Sequence, residues 1–188
     1  MALKLITAAA ALAVSLVEAK AHLRVTVADD DTLITALITA ATETAEQMTG
    51  RAIMPQTWEL ALDAFPDAFE LTRTPVASVT SLKYTDSAGV LTTLDAVTYT
   101  LDAAHDFGPA SVVPAYGLAW PAARDQINAV ALRFVAGYAS AAAVPEPIKA
   151  WIKLQVGAMY ENREAETTGQ THALGFADGL LSRYKVYA

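Results

Sequence analysis

Hydrophobic positions along the chain follow two periods, and the change from one to the other outlines its architecture. Leu33, Ile34, Leu37, Ile38, Ala41, Ala45 and Met48 recur at helical spacing, which predicts one long amphipathic helix. An aspartate among residues 29–31 can cap its start, and Gly50 can end it. Just before it, Leu16, Ala19 and Leu23 share one face of a shorter helix that opens with Ser15 and Glu18. That spacing is a capping box, in which each side chain satisfies a backbone donor that a helix start leaves free. A third helix follows Pro145-Glu146-Pro147 and runs over residues 148–163. Its broad apolar side carries Ile148, Trp151, Ile152, Gln155, Met159 and Tyr160, while Lys149, Lys153 and Glu161 face elsewhere.

Between these helices the period drops to two, the signature of strands. Residues 56–63 set Trp58, Leu60 and Leu62 against Thr57, Glu59 and Asp63. Residues 69–71 form a second short strand, and 79–85 with 90–94 form a hairpin across a loop from Asp86 to Gly89. Residues 99–102 and 128–138 complete the set, the latter alternating Val130, Leu132 and Phe134 with Ala131, Arg133 and Val135. The stretch 105–124 holds Gly108, Pro109, Pro114, Gly117 and Pro121, so it reads as loop with at most a short strand at 111–113. Residues 165–175 are a second irregular stretch. The expected fold is α+β: a helical bundle built from the N-terminal and C-terminal helices, with an inserted small antiparallel β-sheet subdomain. As one domain over 1–188, it divides into a helical body at 15–50 and 145–163, the β subdomain at 52–138 and a tail at 176–188.

Composition narrows the function classes. Of the residues, 54% are hydrophobic and 18% charged, which is incompatible with intrinsic disorder. Thirteen basic against twenty acidic residues give a net charge of −7 with no Lys/Arg run, which argues against a DNA-reading protein. With no cysteine, disulfides and thiolate chemistry are excluded. The apolar stretch 5–17, with Lys4 before it and Ala19-Lys20-Ala21 after it, imitates a secretory leader. Cleavage there would cut through the capped helix, so the segment is expected to be retained and folded. No apolar run is long enough to span a bilayer, and no membrane partner is expected.

Candidate chemistry is sparse. His22, His105 and His172 lie far apart without metal-ligand spacing; His22 suits a helix surface, and His105-Asp106 lacks a nucleophile motif. Asp29-Asp30-Asp31 suits a helix start better than a cation, since further oxygen ligands at the required spacing are missing. Glu161, Glu164 and Glu166 read as a solvated edge. Phosphate-loop, dinucleotide and nucleophile-elbow motifs are absent. The expectation is no catalytic, cofactor-binding or metal-ligating residue, and a protein that is not an enzyme. Trp58 and Trp151 sit on amphipathic elements and read as core; Trp120, in the Pro/Gly loop, is the better interface candidate. The apolar, aromatic tail ending Leu180-Leu181-Ser182-Arg183-Tyr184-Lys185-Val186-Tyr187 is either tucked onto its own domain or ordered by a partner.

Several blocks together carry a family likeness. They are residues 15–25, residues 30–41, Thr49-Gly50-Arg51, Gln56-Thr57-Trp58, residues 144–152 and Tyr160-Glu161-Asn162-Arg163. In that order they resemble the head-tail connector (adaptor, head-completion) family of tailed phages and gene transfer agents, over nearly the whole chain. The resemblance implies a structural virion assembly protein, a ring under the portal, typically of twelve copies, that links capsid to tail and lets DNA through without sequence-specific binding. The implied partners are the portal protein, neighbouring copies of the chain and the next neck or tail component; the implied place is the particle neck, assembled in the bacterial cytoplasm. Carried onto this chain, portal binding falls to Leu180, Leu181, Arg183, Tyr184, Lys185 and Tyr187, and Trp120 is a ring or neck interface residue. The alternatives are another neck or tail-completion protein, or a DNA-packaging factor. The Ala-rich residues 8–13 depart from the extended, Pro-containing lead-in expected of the family.

Overall fold

The computed structural model describes residues 2–104, 108–162 and 176–187. His105, Asp106, His172, Glu164, Glu166, Arg163 and the stretch 165–175 lie outside the described residues. The fold is α+β, with four α-helices and two antiparallel sheets among the described residues. The helices are α1 (Leu16–Leu23), α2 (Asp31–Thr49), α3 (Glu146–Glu161) and α4 (Phe176–Ser182). The strands are β1 (Ala2–Thr7), β2 (Gln56–Leu62), β3 (Phe69–Leu71), β4 (Val76–Thr85), β5 (Leu91–Thr93), β6 (Tyr99–Asp102), β7 (Ala110–Pro114) and β8 (Val130–Ala136). One sheet runs β1-β2-β8-β4-β5 and the other β3-β7-β6.

The helices share one core. Ile34, Ile38, Ala41 and Ala45 of α2 cluster with Ile148, Trp151, Ile152 and Val156 of α3, with Ala19 of α1 and with Leu181 of α4. The buried row on α2 is narrower than the sequence stripe: Leu33 is exposed, and Leu37 and Met48 sit at the margin. Lys149 corrects its expected outward placement, being only 7% exposed. Its ammonium reaches Glu146 at 3.1 Å, so the apolar stem is covered while the charge keeps a partner.

The capping box forms as expected. Ser15 Oγ accepts from the Glu18 amide at 3.2 Å, and the Ser15 amide donates to Glu18 Oε2 at 2.8 Å. The aspartates before α2 do not act as side-chain caps, which corrects that expectation. Asp30 occupies the cap position without a side-chain cap bond. Its carboxylate accepts from the Tyr160 hydroxyl at 2.5 Å, and Asp31 pairs with Lys20. Tertiary partners outcompete the local backbone donors here.

The second core lies between the sheets, where Leu60, Leu82, Leu132 and Phe134 of the large sheet meet Phe69, Leu71 and Val112 of the small one. Central strand β8 buries Val130, Leu132, Phe134 and Ala136 and turns its other face partly to solvent, the alternation read from sequence. On that other face Arg133 bonds Glu59 at 3.0 and 2.6 Å, and Lys4 stands opposite Glu59 in register. The β4–β5 turn is built on Asp86, whose Oδ1 accepts from the amides of Ala88 and Val90 at 2.9 Å each.

Strand β1 is unanticipated. It precedes the helix pair yet pairs antiparallel with β2, so the large sheet draws on both sides of α1 and α2 and extends beyond residues 52–138. After it, Ala13 and Val14 enter the helical core. The two cores are joined at the end of β8. Gly137 has φ +123, and a Cβ there would stand 2.3 Å from the Met54 carbonyl oxygen, so no other residue fits. The Gly137 and Tyr138 amides donate to Pro75 and Ile53 carbonyls at 2.8 and 3.0 Å. Glu46 adds a second joint, one carboxylate oxygen accepting from the Ile53 amide at 2.7 Å and from Gln56 Nε2 at 2.6 Å.

Candidate assembly site

The candidate partner-binding tail is folded onto its own body. In α4, Leu181 is 0% exposed and belongs to the helical core, while Leu180 and Tyr184 pack partly against it. Phe176 is 60% and Tyr187 79% exposed, and Arg183 is also exposed. The six residues assigned to portal binding therefore divide: Leu180, Leu181 and Tyr184 face inward, Arg183 and Tyr187 outward, and Lys185 is half-buried.

Beyond α4 the chain runs along the segment that ends α2. Gly50 closes that helix in the left-handed conformation, φ +73, a geometry that costs glycine little. The Val186 amide donates to the Thr49 carbonyl at 2.8 Å. Arg51 is 2% exposed, and its Nε donates to the Tyr184 carbonyl at 2.6 Å. Sequence reasoning did not single out the role of Arg51 or Glu46. The usable signal was a lone guanidinium just before the apolar run Ala52-Ile53-Met54, since a charge is buried only when paired.

Trp120, assigned to an interface, packs into the inter-sheet core. Its ring stacks on Phe65 at 5.1 Å and meets Phe69 edge-on at 5.5 Å. Trp151 is buried in the helical core, whereas Trp58 is half-buried, with the Arg73 guanidinium 4.9 Å above its ring. Trp58 also lines a groove of about 310 Å³ between residues 8–13 and α2, together with Leu5, Met54, Glu43 and Arg73. Elsewhere on the surface, all of β1 is exposed along the sheet edge. Val97, Tyr116 and Leu118 are exposed on two loops joined by an Ala115 amide bond to the Thr98 carbonyl at 2.9 Å.

Two titrations are displaced. Glu18 is held below the ordinary carboxylate range, first by its Ser15 side-chain and backbone hydrogen bonds and then by the nearby charges of Lys149 and Lys153, against some desolvation. Burial, with a smaller push from Asp95, raises Tyr99. Among the described residues no cluster of three or more His, Cys, Asp or Glu side chains could hold a metal ion, and no helix is long and apolar enough to cross a membrane.

Residues 13–90 match the family of phage gp6-like head-tail connector proteins. No curated protein matches the chain. Among solved structures, the chain is similar to a subunit of the neck of an empty GTA particle computed with C6 symmetry, at 29% identity and a TM-score of 0.80, covering 100% of this chain and 97% of that one. It is similar over the same shares to a chain in the virion of a native gene transfer agent particle, at 27% identity and TM-score 0.82. A chain in the neck of a native GTA particle computed with C12 symmetry also matches, at 27% and 0.78 over the same shares. The connector likeness read from the sequence is borne out.

Proposed function

We propose that this chain is a structural head-tail connector of a phage or gene-transfer-agent particle, positioned in the neck. The observation that carries this is the end-to-end likeness to neck-derived structures, over 100% of this chain and 97% of the other at 29% identity. The match of residues 13–90 to the connector family supports it independently of the sheet region beyond. The likeness to structural neck proteins fits a non-enzymatic role.

In the finer form of the proposal, copies of the chain close into a ring, dodecameric by analogy with the twelvefold neck, beneath the portal. A closed ring requires two different, complementary faces on each subunit. The helical body supplies the ring wall, the β subdomain points away from it, and the tail meets the portal through Arg183, Lys185 and Tyr187. DNA passes through the ring. A net charge of −7 without basic runs suits a conduit, because phosphate-neutralising clusters would hold the duplex by counterion release.

Mixing the purified chain with its portal and imaging the product by electron microscopy tests this reading. Rings at the narrow end of the portal are the expected result. Portal particles that stay bare while the chain binds a different neck component would replace it with a neck or tail-completion role. Tight, strongly salt-dependent duplex binding would instead favour a packaging factor.

A further inference from the structure

We infer that Thr49-Gly50-Arg51 is the receptor for the chain's own C-terminal tail, and that the tail meets its partner while held there. Each residue of the block engages the same short segment. The Thr49 carbonyl accepts the Val186 amide at 2.8 Å, and Arg51 Nε donates to the Tyr184 carbonyl at 2.6 Å. A Cβ on Gly50 would make ordinary contact with Val186, 3.5 Å from its carbonyl oxygen and 3.7 Å from its Cβ, so the tail lies directly against the turn that Gly50 makes.

The block lies at the C-terminus of α2, and the tail arrives there because Leu181 is anchored in the helical core one turn earlier. A buried hydrogen-bonded guanidinium gripping a main-chain carbonyl is indifferent to the side chain at that position. The receptor therefore fixes the path of the tail and leaves its outward residues free to specify a partner. Held this way, Arg183 and Tyr187 are exposed, as is Phe176 at the start of α4, an exposed set of aromatic and cationic side chains. It fits a protein groove with apolar floor and acidic rim.

Holding the tail before contact matters for affinity. An unheld segment loses backbone freedom on binding, and that entropy subtracts from the interaction. Loosening the receptor should thus weaken partner binding. A tail that must detach to grip its partner would respond in the opposite direction, since the receptor would then compete with the partner. This second half rests on the portal assignment, and the first half does not.

The test uses the full chain with Arg51→Ala and, because that change touches the body, Val186→Pro, which removes the tail's amide donor and stiffens the chain there without touching the body. The partner-free measurement is amide exchange of the tail together with trypsin cleavage after Arg183, since the Lys185–Pro bond of the second variant resists trypsin. Both variants should lose protection in the tail while keeping the protection of α2 and β8. Unchanged tail protection in both would overturn the receptor. The second measurement is affinity for purified portal, expected to fall on the order of tenfold or more in both variants. Equal or tighter binding by variants with a loosened tail would overturn binding in the held state. Should the unmodified chain fail to bind portal, the portal assignment falls while the exchange result still decides the receptor.

Discussion

Tyr160, near the end of α3, donates its hydroxyl to the Asp30 carboxylate at the start of α2, 130 residues earlier in the chain, at 2.5 Å. The bond closes the helical body at one end, as the Leu181 anchor closes it at the other. It also explains why Asp30 leaves the helix start uncapped.

Tyr160→Phe keeps the ring and removes the donor. A hydrogen bond to a charged, partly buried acceptor contributes roughly 1–2 kcal/mol, so the urea midpoint should fall accordingly with the slope unchanged. An unaltered midpoint would mean that water serves Asp30 equally well.

Ser15→Ala removes the hydroxyl half of the capping box, with its 2.7 Å bond to Glu18 Oε2, while the backbone half remains, and should cost about 1 kcal/mol. The same change should alter the acid limb of the stability curve. Glu18 has a folded-state pKa below its unfolded one, so its contribution is present at neutral pH. That contribution fades as pH falls from about 4.3 through the lower folded value. The stability gap between the two proteins should therefore narrow towards low pH, down to the part contributed by the Ser15 Oγ bond to the Glu18 amide; a constant gap would show that Glu18 does not carry the difference.

Leu181→Ala removes a fully buried side chain and should destabilise the isolated protein by about 2–4 kcal/mol. Tyr187→Ala, at an exposed position, should stay within about 0.5 kcal/mol. The pair separates the inward from the outward half of the tail: a stable Leu181→Ala protein would mean that α4 does not contribute to the helical core.

Trp120→Ala separates core from interface. Stacked on Phe65 and against Phe69, the indole should contribute about 2–4 kcal/mol to the stability of the isolated chain. A variant of native stability that fails to form rings would return Trp120 to the interface role expected from its loop.

Much of the fold is written in local periodicity. The stripe on α2, the capping box at Ser15, the alternation along β8 and the Asp86–Gly89 hairpin each depend on residues within a few positions of one another. One sequence displays such information directly. The blocks carrying the connector likeness were legible for a related reason, because their order along the chain survives even where each is unspecific alone.

What tertiary structure decided concerns partners distant in sequence. Nothing local in residues 2–7 distinguishes a leader-like apolar start from an edge strand, since β1 acquires its conformation by pairing with β2. The aspartates before α2 could cap or reach outward, and only the arrival of Tyr160 and Lys20 settled which. Trp120, still on its loop, packs against the inter-sheet core because the chain folds it onto Phe65 and Phe69. The tail, balanced between tucked and free when read as sequence, was decided by Leu181 in the helical core and Arg51 at the Tyr184 carbonyl. Short-range patterns thus determined the elements. Burial and hydrogen bonding across long separations, which no periodicity encodes, determined which surfaces remain for assembly.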